Sequence, residues 1–427
     1  MKSCLVMLTK TYPFGSGEEF IENELPFLAE AFGKVILIAT SVSDRPEQTR
    51  PVPGNVEVHF IPASRIKRSI PAAAARNFAF PPQDLFGAAE RSAVGHGLRR
   101  RAFFAYFLAK SRRIAREAAG LLENTDASRS DRVTFYSYWF FDTAFAALEL
   151  KKAAGSRGGI CVSRAHRYDL YPERNSLSYL PLRPYLLEHL DAVFPCSRDG
   201  ADYLKRTYPA WKSKVQTAYL GTRDFGPGPQ PAADGFRFVS CCHILPFKRV
   251  GLLAHALKLL QGSGLKIEWT HFGGGDGLQG LKQYAKENLG FLQVRFPGEV
   301  RNAELMEFYR KNPVDCFLNT SSSEGLPVSI MEACSFGIPV LATDVGGTCE
   351  IVKDGVNGLV LPADLTAETL AERIRAFCTL PAARREAMRG AARSIWQTDF
   401  SADSNYRRFA GCIAPSAPTA DHNCGSR

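Results

Sequence analysis

NTSSSEGLPVSIMEACSFGIPVLATDVGG, residues Asn319 to Gly347, holds the end of a strand, a small polar loop and the start of a helix in one run. The helix is expected to begin near Pro327, because proline's fixed φ and missing amide suit a first helical turn. Glu324 stands before this helix and Glu332 inside it, with seven residues between them. Gly325 permits close backbone approach to a ligand, and the unpaired amides of a first helical turn attract anions or hydroxyls. A carboxylate can accept both hydroxyls of a ribose or a hexose. Two carboxylates flanking an amide cluster therefore suit a polyhydroxylated ligand that also carries phosphate. The plainer alternative is a capping Glu324 and a solvent-facing Glu332.

Outward from this stretch the chain alternates short apolar runs with amphipathic ones, the pattern of parallel sheets wrapped by helices. Strands are expected at Cys4–Leu8, Val35–Ala39, Val133–Phe135, Gly159–Ser163 and Ala192–Pro195, with a helix over Glu18–Phe32. A second set covers Phe236–Cys241, Lys266–Phe272, Val294–Phe296, Val314–Leu318, Pro339–Ala342 and Gly358–Leu361. Between the sets, FGPGPQPAADG (225–235) reads as a linker. The divisions expected are an N-terminal lobe over 1–224, a C-terminal lobe over 236–395, a helix over 396–412 returning to the first lobe, and a disordered tail over 413–427.

Glu324, Gly325, Leu326, Pro327 and Glu332 resemble the Glu-seven-Glu motif of the retaining family 4 glycosyltransferases. Gly337-Ile338-Pro339-Val340, Asp344-Val345-Gly346-Gly347 and Glu350-Ile351-Val352 with Gly355 and Gly358 extend the likeness. It implies the α/β GT-B fold, two Rossmann-like lobes with a cleft between them. Within it Glu324 would contact the donor sugar and Glu332 the nucleotide ribose. Leu326, Pro327 and the loop around Gly325 would line the donor site. In CCHILPFKR (Cys241–Arg249), Lys248 falls at the family's diphosphate-binding lysine, with Arg249 beside it. His243 stands where the family usually has arginine. A lysine and helix amides can neutralise a departing diphosphate without a metal ion.

In the first lobe, TYPFGSGEEFIE (Thr11–Glu22) resembles the family's glycine loop, in which Gly15 and Gly17 would turn main chain toward the donor phosphates. SRAHRYD (Ser163–Asp169) resembles its histidine-bearing loop, so His166 would touch the donor sugar near the reacting carbon. Asp169 could simply fix that loop. TYPFGSGEEF, SRAHRYDLY and YLGTRD together are similar to bacterial exopolysaccharide transferases of the colanic acid type. Gly275–Gly280 satisfies G-x-G-x-x-G but follows the second strand of its lobe rather than the first, which weakens a dehydrogenase reading. That loop is expected at the rim of the nucleotide pocket.

Composition narrows the classes further. Of 427 residues, 45% are hydrophobic and 22% charged, which is globular usage. No apolar run approaches the ~20 residues that cross a bilayer, and Met1–Leu8 reads as a buried strand rather than a signal peptide. The 11 cysteines are scattered without a Cys-x-x-Cys pair, which favours buried thiols over structural zinc or a disulfide framework. A cytoplasmic protein is expected, with peripheral association on the inner face of the plasma membrane left open. The net charge is +10, and residues 64–117 hold twelve basic residues against Asp84, Glu90 and Glu117. Such a block wants an anionic partner. Phe103, Phe104, Phe107 and Leu108 share a helical face there, bracketed by Arg99–Arg101 and Arg112–Arg113. A helix lying on an anionic membrane and a helix packed into the lobe are both open at this point.

The function expected is transfer of a sugar, with retention, from a UDP- or GDP-linked donor to a growing, lipid-linked glycan, without cofactor or metal. A sugar-nucleotide epimerase or phosphorylase of the same fold is the alternative. A nucleic-acid partner is not expected, because no known binding module or interleaved stacking aromatics accompany the basic block.

Overall fold

The computed structural model describes residues 3–15, 17–95 and 97–415. The chain divides into two compact units, Met1–Tyr219 with Tyr406–Arg427, and Leu220–Asn405. In the first, the elements run β1 (Ser3–Thr9), α1 (Ile21–Ala31), β2 (Lys34–Val42), β3 (Val56–Pro62), α2 (Ala63–Ala79), α3 (Ala88–Val94), α4 (Leu98–Leu122), β4 (Arg132–Ser137), α5 (Asp142–Ala154), β5 (Gly158–Ala165), α6 (Arg167–Leu170), α7 (Arg183–His189), β6 (Ala192–Pro195) and α8 (Arg198–Thr207). Its six strands are parallel in the order β3-β2-β1-β4-β5-β6. Central strands of such a sheet are covered on both faces and read as continuous apolar runs. Accordingly Cys4 to Leu8 and Val35 to Ala39 are fully buried.

The second unit repeats the plan with β7 (Phe236–Cys241), α9 (Val250–Lys258), β8 (Ile267–Phe272), α10 (Leu278–Asn288), β9 (Gln293–Gly298), α11 (Asn302–Lys311), β10 (Cys316–Asn319), α12 (Val328–Ser335), β11 (Val340–Thr343), α13 (Thr348–Ile351), β12 (Gly358–Leu361), α14 (Ala367–Thr379) and α15 (Ala382–Asp399), before α16 (Ala402–Ile413). Its parallel sheet has the order β12-β11-β10-β7-β8-β9.

Four expectations change. Residues 225–235 are not a free linker: Phe225 stacks on Phe336, the Gly228 amide donates to the Phe336 carbonyl, and Arg389 donates to the Pro229 carbonyl. The segment is thus held on the second unit, and the division falls at Tyr219/Leu220. The helix expected over 396–412 is two helices. Trp396 ends its turn inside α15, Ser401 pairs with Thr222, and α16 starts at Ala402. Phe409, Ala410 and Ile413 of α16 pack into the first unit's core, so Ile413, expected to open the tail, is instead helical and buried. Residues 416–427 lie outside the described residues.

The fourth change concerns the basic block, which forms α2, α3 and α4. Phe104, Phe107 and Leu108 are at most 1% exposed and belong to the main core, with Phe103 packed against it. The aromatic face is therefore internal and has no surface to lay on a membrane. Arg101 donates to the Phe78 carbonyl and Arg100 to those of Leu177 and Ala93, so part of the charge braces the unit. Among the described residues no helix is long and apolar enough to cross a membrane.

Candidate active site

At the carboxyl edge of the second sheet, β10 delivers Asn319 and the loop that follows brings Glu324 beneath it. Lys248 Nζ donates to Glu324 Oε1 at 2.7 Å, and Asn319 Nδ2 donates to the same oxygen at 3.2 Å. Glu324 is 8% exposed, and its Oε2 has no protein partner among the described residues. Gly346 fixes this arrangement. It takes φ +54°, and a Cβ there would stand 2.0 Å from the Glu324 carbonyl.

Pro327 is the amino cap of α12, which starts at Val328, one residue after the expected start, and no side chain caps the helix. Its Val328 and Ser329 amides are therefore open to a ligand, whereas Ile330 N donates to the Pro327 carbonyl. Glu332 sits in α12, where Asn302 Nδ2, from the start of α11, donates to Oε1 at 2.6 Å. Burial pushes the Glu332 carboxyl up to about 7 against the opposing effect of that hydrogen bond. Its Oε2 also lacks a protein partner among the described residues. Leu326 is buried beside these groups.

The loop carrying Lys248 is stitched to the Glu324 loop. Ser322 N donates to the Phe247 carbonyl at 2.7 Å, and Thr320 Oγ1 donates to the Lys248 carbonyl at 3.0 Å. Arg249, in a left-handed conformation, spends its guanidinium on the carbonyls of Thr320, Ser321 and Ala363. It braces the two loops through three of its five N–H donors. His243 is exposed, with no side-chain hydrogen bond among the described residues. The glycines after β8 pack on this same loop: a Cβ on Gly273 would stand 1.9 Å from the Cys242 carbonyl.

The first unit's candidates lie at the carboxyl ends of β1 and β5. Gly15 and Gly17 have φ of +61° and +93°. The main-chain cradle nearby is filled from within: Glu18, itself left-handed, accepts from the amides of Lys10, Thr11 and Tyr12 at 2.6–2.9 Å and from Trp139 Nε1. Arg50 donates to the Gly15 and Gly17 carbonyls. The amides of residues 10–12 thus hold a protein carboxylate. His166 caps α6, with its ring 4.7 Å from Tyr138 and 5.0 Å from Trp139. Its Nε2 is buried without a partner, and burial together with the Arg164 charge lowers its pKa to about 3. The ring is therefore neutral in ordinary buffers. Asp169 fixes the loop, accepting from the amides of His166 and Phe140 at 2.6 and 2.7 Å.

Sequence reasoning missed Asn302, Asn319, Glu18 and Trp139. Asn319 opened the informative stretch and Glu18 stood inside Thr11–Glu22, whereas Asn302 and Trp139 carried no motif.

Residues 230–395, which contain Lys248, Glu324 and Glu332, match the family described as Glycosyl transferases group 1. Over 116 residues the chain is 40% identical to the O-antigen biosynthesis glycosyltransferase WbnH of Escherichia coli, covering 27% of this chain and only 30% of that relative. Over 286 residues it is 26% identical to the putative colanic acid biosynthesis glycosyltransferase WcaL of Escherichia coli, covering 64% of this chain and 68% of the relative. The structure of Anabaena HepE, solved with UDP and glucose, superposes with TM-score 0.62 at 16% identity over 96% of this chain and 98% of that one. The fold is GT-B, and residues 230–395 of its C-terminal unit match the glycosyltransferase group 1 family.

Proposed function

We propose that the protein is a retaining glycosyltransferase that moves a sugar from a UDP- or GDP-linked donor to a growing, lipid-linked bacterial polysaccharide. One observation carries this: two buried carboxylates, each with a free oxygen, flank an uncapped helix start beside Lys248 in a domain of matching family. The free oxygens suit sugar and ribose hydroxyls, and the lysine and amides suit a diphosphate. The names of WbnH and WcaL support a polysaccharide product, and HepE's bound UDP supports a uridine nucleotide.

In this reading Glu332 accepts the ribose hydroxyls in its ionised form, and Glu324 accepts a donor-sugar hydroxyl. As the glycosidic bond to phosphate breaks, negative charge grows on the diphosphate. Lys248 then exchanges part of its interaction with Glu324 for that charge, and the α12 amides supply the remainder. The departing phosphate takes the acceptor hydroxyl's proton on the face it leaves, so configuration is retained without a protein nucleophile. Acceptor recognition falls to the N-terminal unit, where neutral His166 offers a hydrogen bond to sugar.

A thermal-shift screen with nucleotide sugars tests this, because a ligand that binds only the native state stabilises it by about 2.7 kcal/mol at 100 times Kd. A UDP- or GDP-sugar should raise the midpoint, with or without EDTA, and transfer from that donor should give an anomer of unchanged configuration. A screen in which no nucleotide sugar shifts the midpoint contradicts the reading. Release of free epimer would instead select the epimerase alternative.

A further inference from the structure

β3 runs directly into α2, and at that junction, on the carboxyl edge of the N-terminal sheet, lies a cavity of about 530 Å³. Its walls include Arg65, Arg68, Ser69 and Arg113, with Ser64 and Asp44 at one side. We propose that this cavity binds the phosphate or diphosphate of a phosphorylated acceptor glycan. The proposal rests on the glycosyltransferase reading above and adds to it a second anion site, on the other unit from Lys248.

Three guanidiniums in one cavity repel one another, and the carboxylates present offset that only in part. Glu117 bridges Arg65 and Arg113, at 3.1 and 2.5 Å, and Ser64 donates to Asp44. Arg68 has no hydrogen-bond or ion-pair partner among the described residues, and Arg113 Nε is buried without an acceptor. The cavity thus keeps net positive charge and unused donors in the fork geometry that matches phosphate. α2 begins here with no capping side chain and no acidic residue in its first turn, so the positive end of its dipole is also uncompensated. Ligands of open α/β sheets bind outside the carboxyl ends of strands, which is where this cavity opens.

Position along the edge adds a constraint on the ligand. The strand order places β5, which ends at His166, three strands from β2 and four from β3. At ~4.8 Å per strand, the cavity and His166 are offset by about 14–19 Å. A single monosaccharide does not bridge that distance, so the phosphate held here belongs to an oligosaccharide.

The test titrates the full-length Lys248→Ala protein, in which the nucleotide site is weakened, with sodium pyrophosphate and with farnesyl diphosphate at low ionic strength. Adding Arg68→Gln and Arg113→Gln should weaken pyrophosphate binding at least tenfold. Arg68→Glu alone, at an exposed side chain whose loss leaves the fold intact, should weaken it comparably. Pyrophosphate binding indifferent to both changes overturns the site. Tighter binding of farnesyl diphosphate than of pyrophosphate assigns the anion to a lipid-linked glycan, and equal binding assigns it to a free phosphorylated one. UDP and GDP are titrated in parallel into the protein with Lys248 intact. Absence of nucleotide binding there overturns the function proposed above, whereas nucleotide binding with pyrophosphate indifferent to Arg68 overturns only this cavity.

Discussion

Glu18 and Glu332 are both buried carboxylates at the carboxyl edge of a parallel sheet, and the protein satisfies them in opposite ways. Glu18 accepts from three amides, the Thr11 hydroxyl and the Trp139 indole. Glu332 accepts from Asn302 alone, and burial holds its carboxyl up near 7. A buried acceptor left short of donors costs free energy that a fully bonded one does not. A folded chain therefore keeps an under-satisfied carboxylate where something else completes it, and satisfaction separates scaffold from site here better than residue type does. Ion pairs differ in exposure. Arg164 and Glu24 meet at 2.8 Å with both side chains fully buried. Tyr136 donates to Glu24 and Arg164 Nη1 to the Ala218 carbonyl, while Arg164 Nη2 is buried without a partner among the described residues. Lys248 and Glu324 meet at 2.7 Å with the lysine side chain 20% exposed and one carboxylate oxygen free.

The sharpest way to break this contrast is Arg164→Met. It leaves Glu24 buried and uncompensated, a loss of about 3–5 kcal/mol in urea unfolding. Adding Glu24→Leu should recover most of that loss, because the stranded charge goes with it. A single variant as stable as the wild type would show that this buried pair is not structural.

Lys248→Ala is next. Turnover at saturating donor should fall by about 2.7–4 kcal/mol of barrier, the size of a contact to a developing oxyanion. Urea stability should change far less than in Arg164→Met. Unchanged turnover would remove the lysine from leaving-group stabilisation.

Glu332→Gln then sharpens the comparison through pH. A carboxyl whose folded pKa is raised contributes stability below its unfolded value of about 4.5, and this is lost as pH rises through the folded value near 7. The ligand-free wild type should thus lose stability relative to Glu332→Gln between about pH 4.5 and 7, by an amount on the order of 3 kcal/mol. Parallel stability curves for the two proteins would mean that Glu332 is not strained by burial.

Much of this was readable in the chain. The apolar runs at Cys4–Leu8 and Phe236–Cys241 placed both sheets, because central parallel strands are covered on both faces. β3 was missed: it is an edge strand with Glu57, His59 and Phe60 partly open, although Pro53-Gly54 and the alternation at Val56 and Val58 marked it. Glu324 and Glu332 were legible as candidates because their spacing is local to one loop and one helix, and Lys248 through the resemblance carried by Cys241–Arg249. Their partners were not, since Asn302 reaches Glu332 from 30 residues away and only the folded sheet joins them. The internal contacts of Arg249 and Glu18 were not legible for one shared reason. A left-handed Arg249 and a left-handed Glu18 each turn a side chain back onto main-chain groups, and no sequence pattern announces a non-glycine residue at positive φ. The aromatic face of α4 showed the opposite difficulty, because periodicity names an apolar side without saying what covers it.

The most direct measurement is calorimetric titration of UDP and GDP into the wild type, Glu332→Ala and Glu18→Ala at pH 8. Losing a charged hydrogen-bond partner of the ribose should weaken the preferred nucleotide by about 1.5–3 kcal/mol in Glu332→Ala. Glu18→Ala should lower the unfolding midpoint while leaving nucleotide affinity near that of the wild type. Nucleotide affinity unchanged in Glu332→Ala, or lost equally in Glu18→Ala without loss of fold, would contradict the assignment of the donor to the under-satisfied carboxylates of the C-terminal unit.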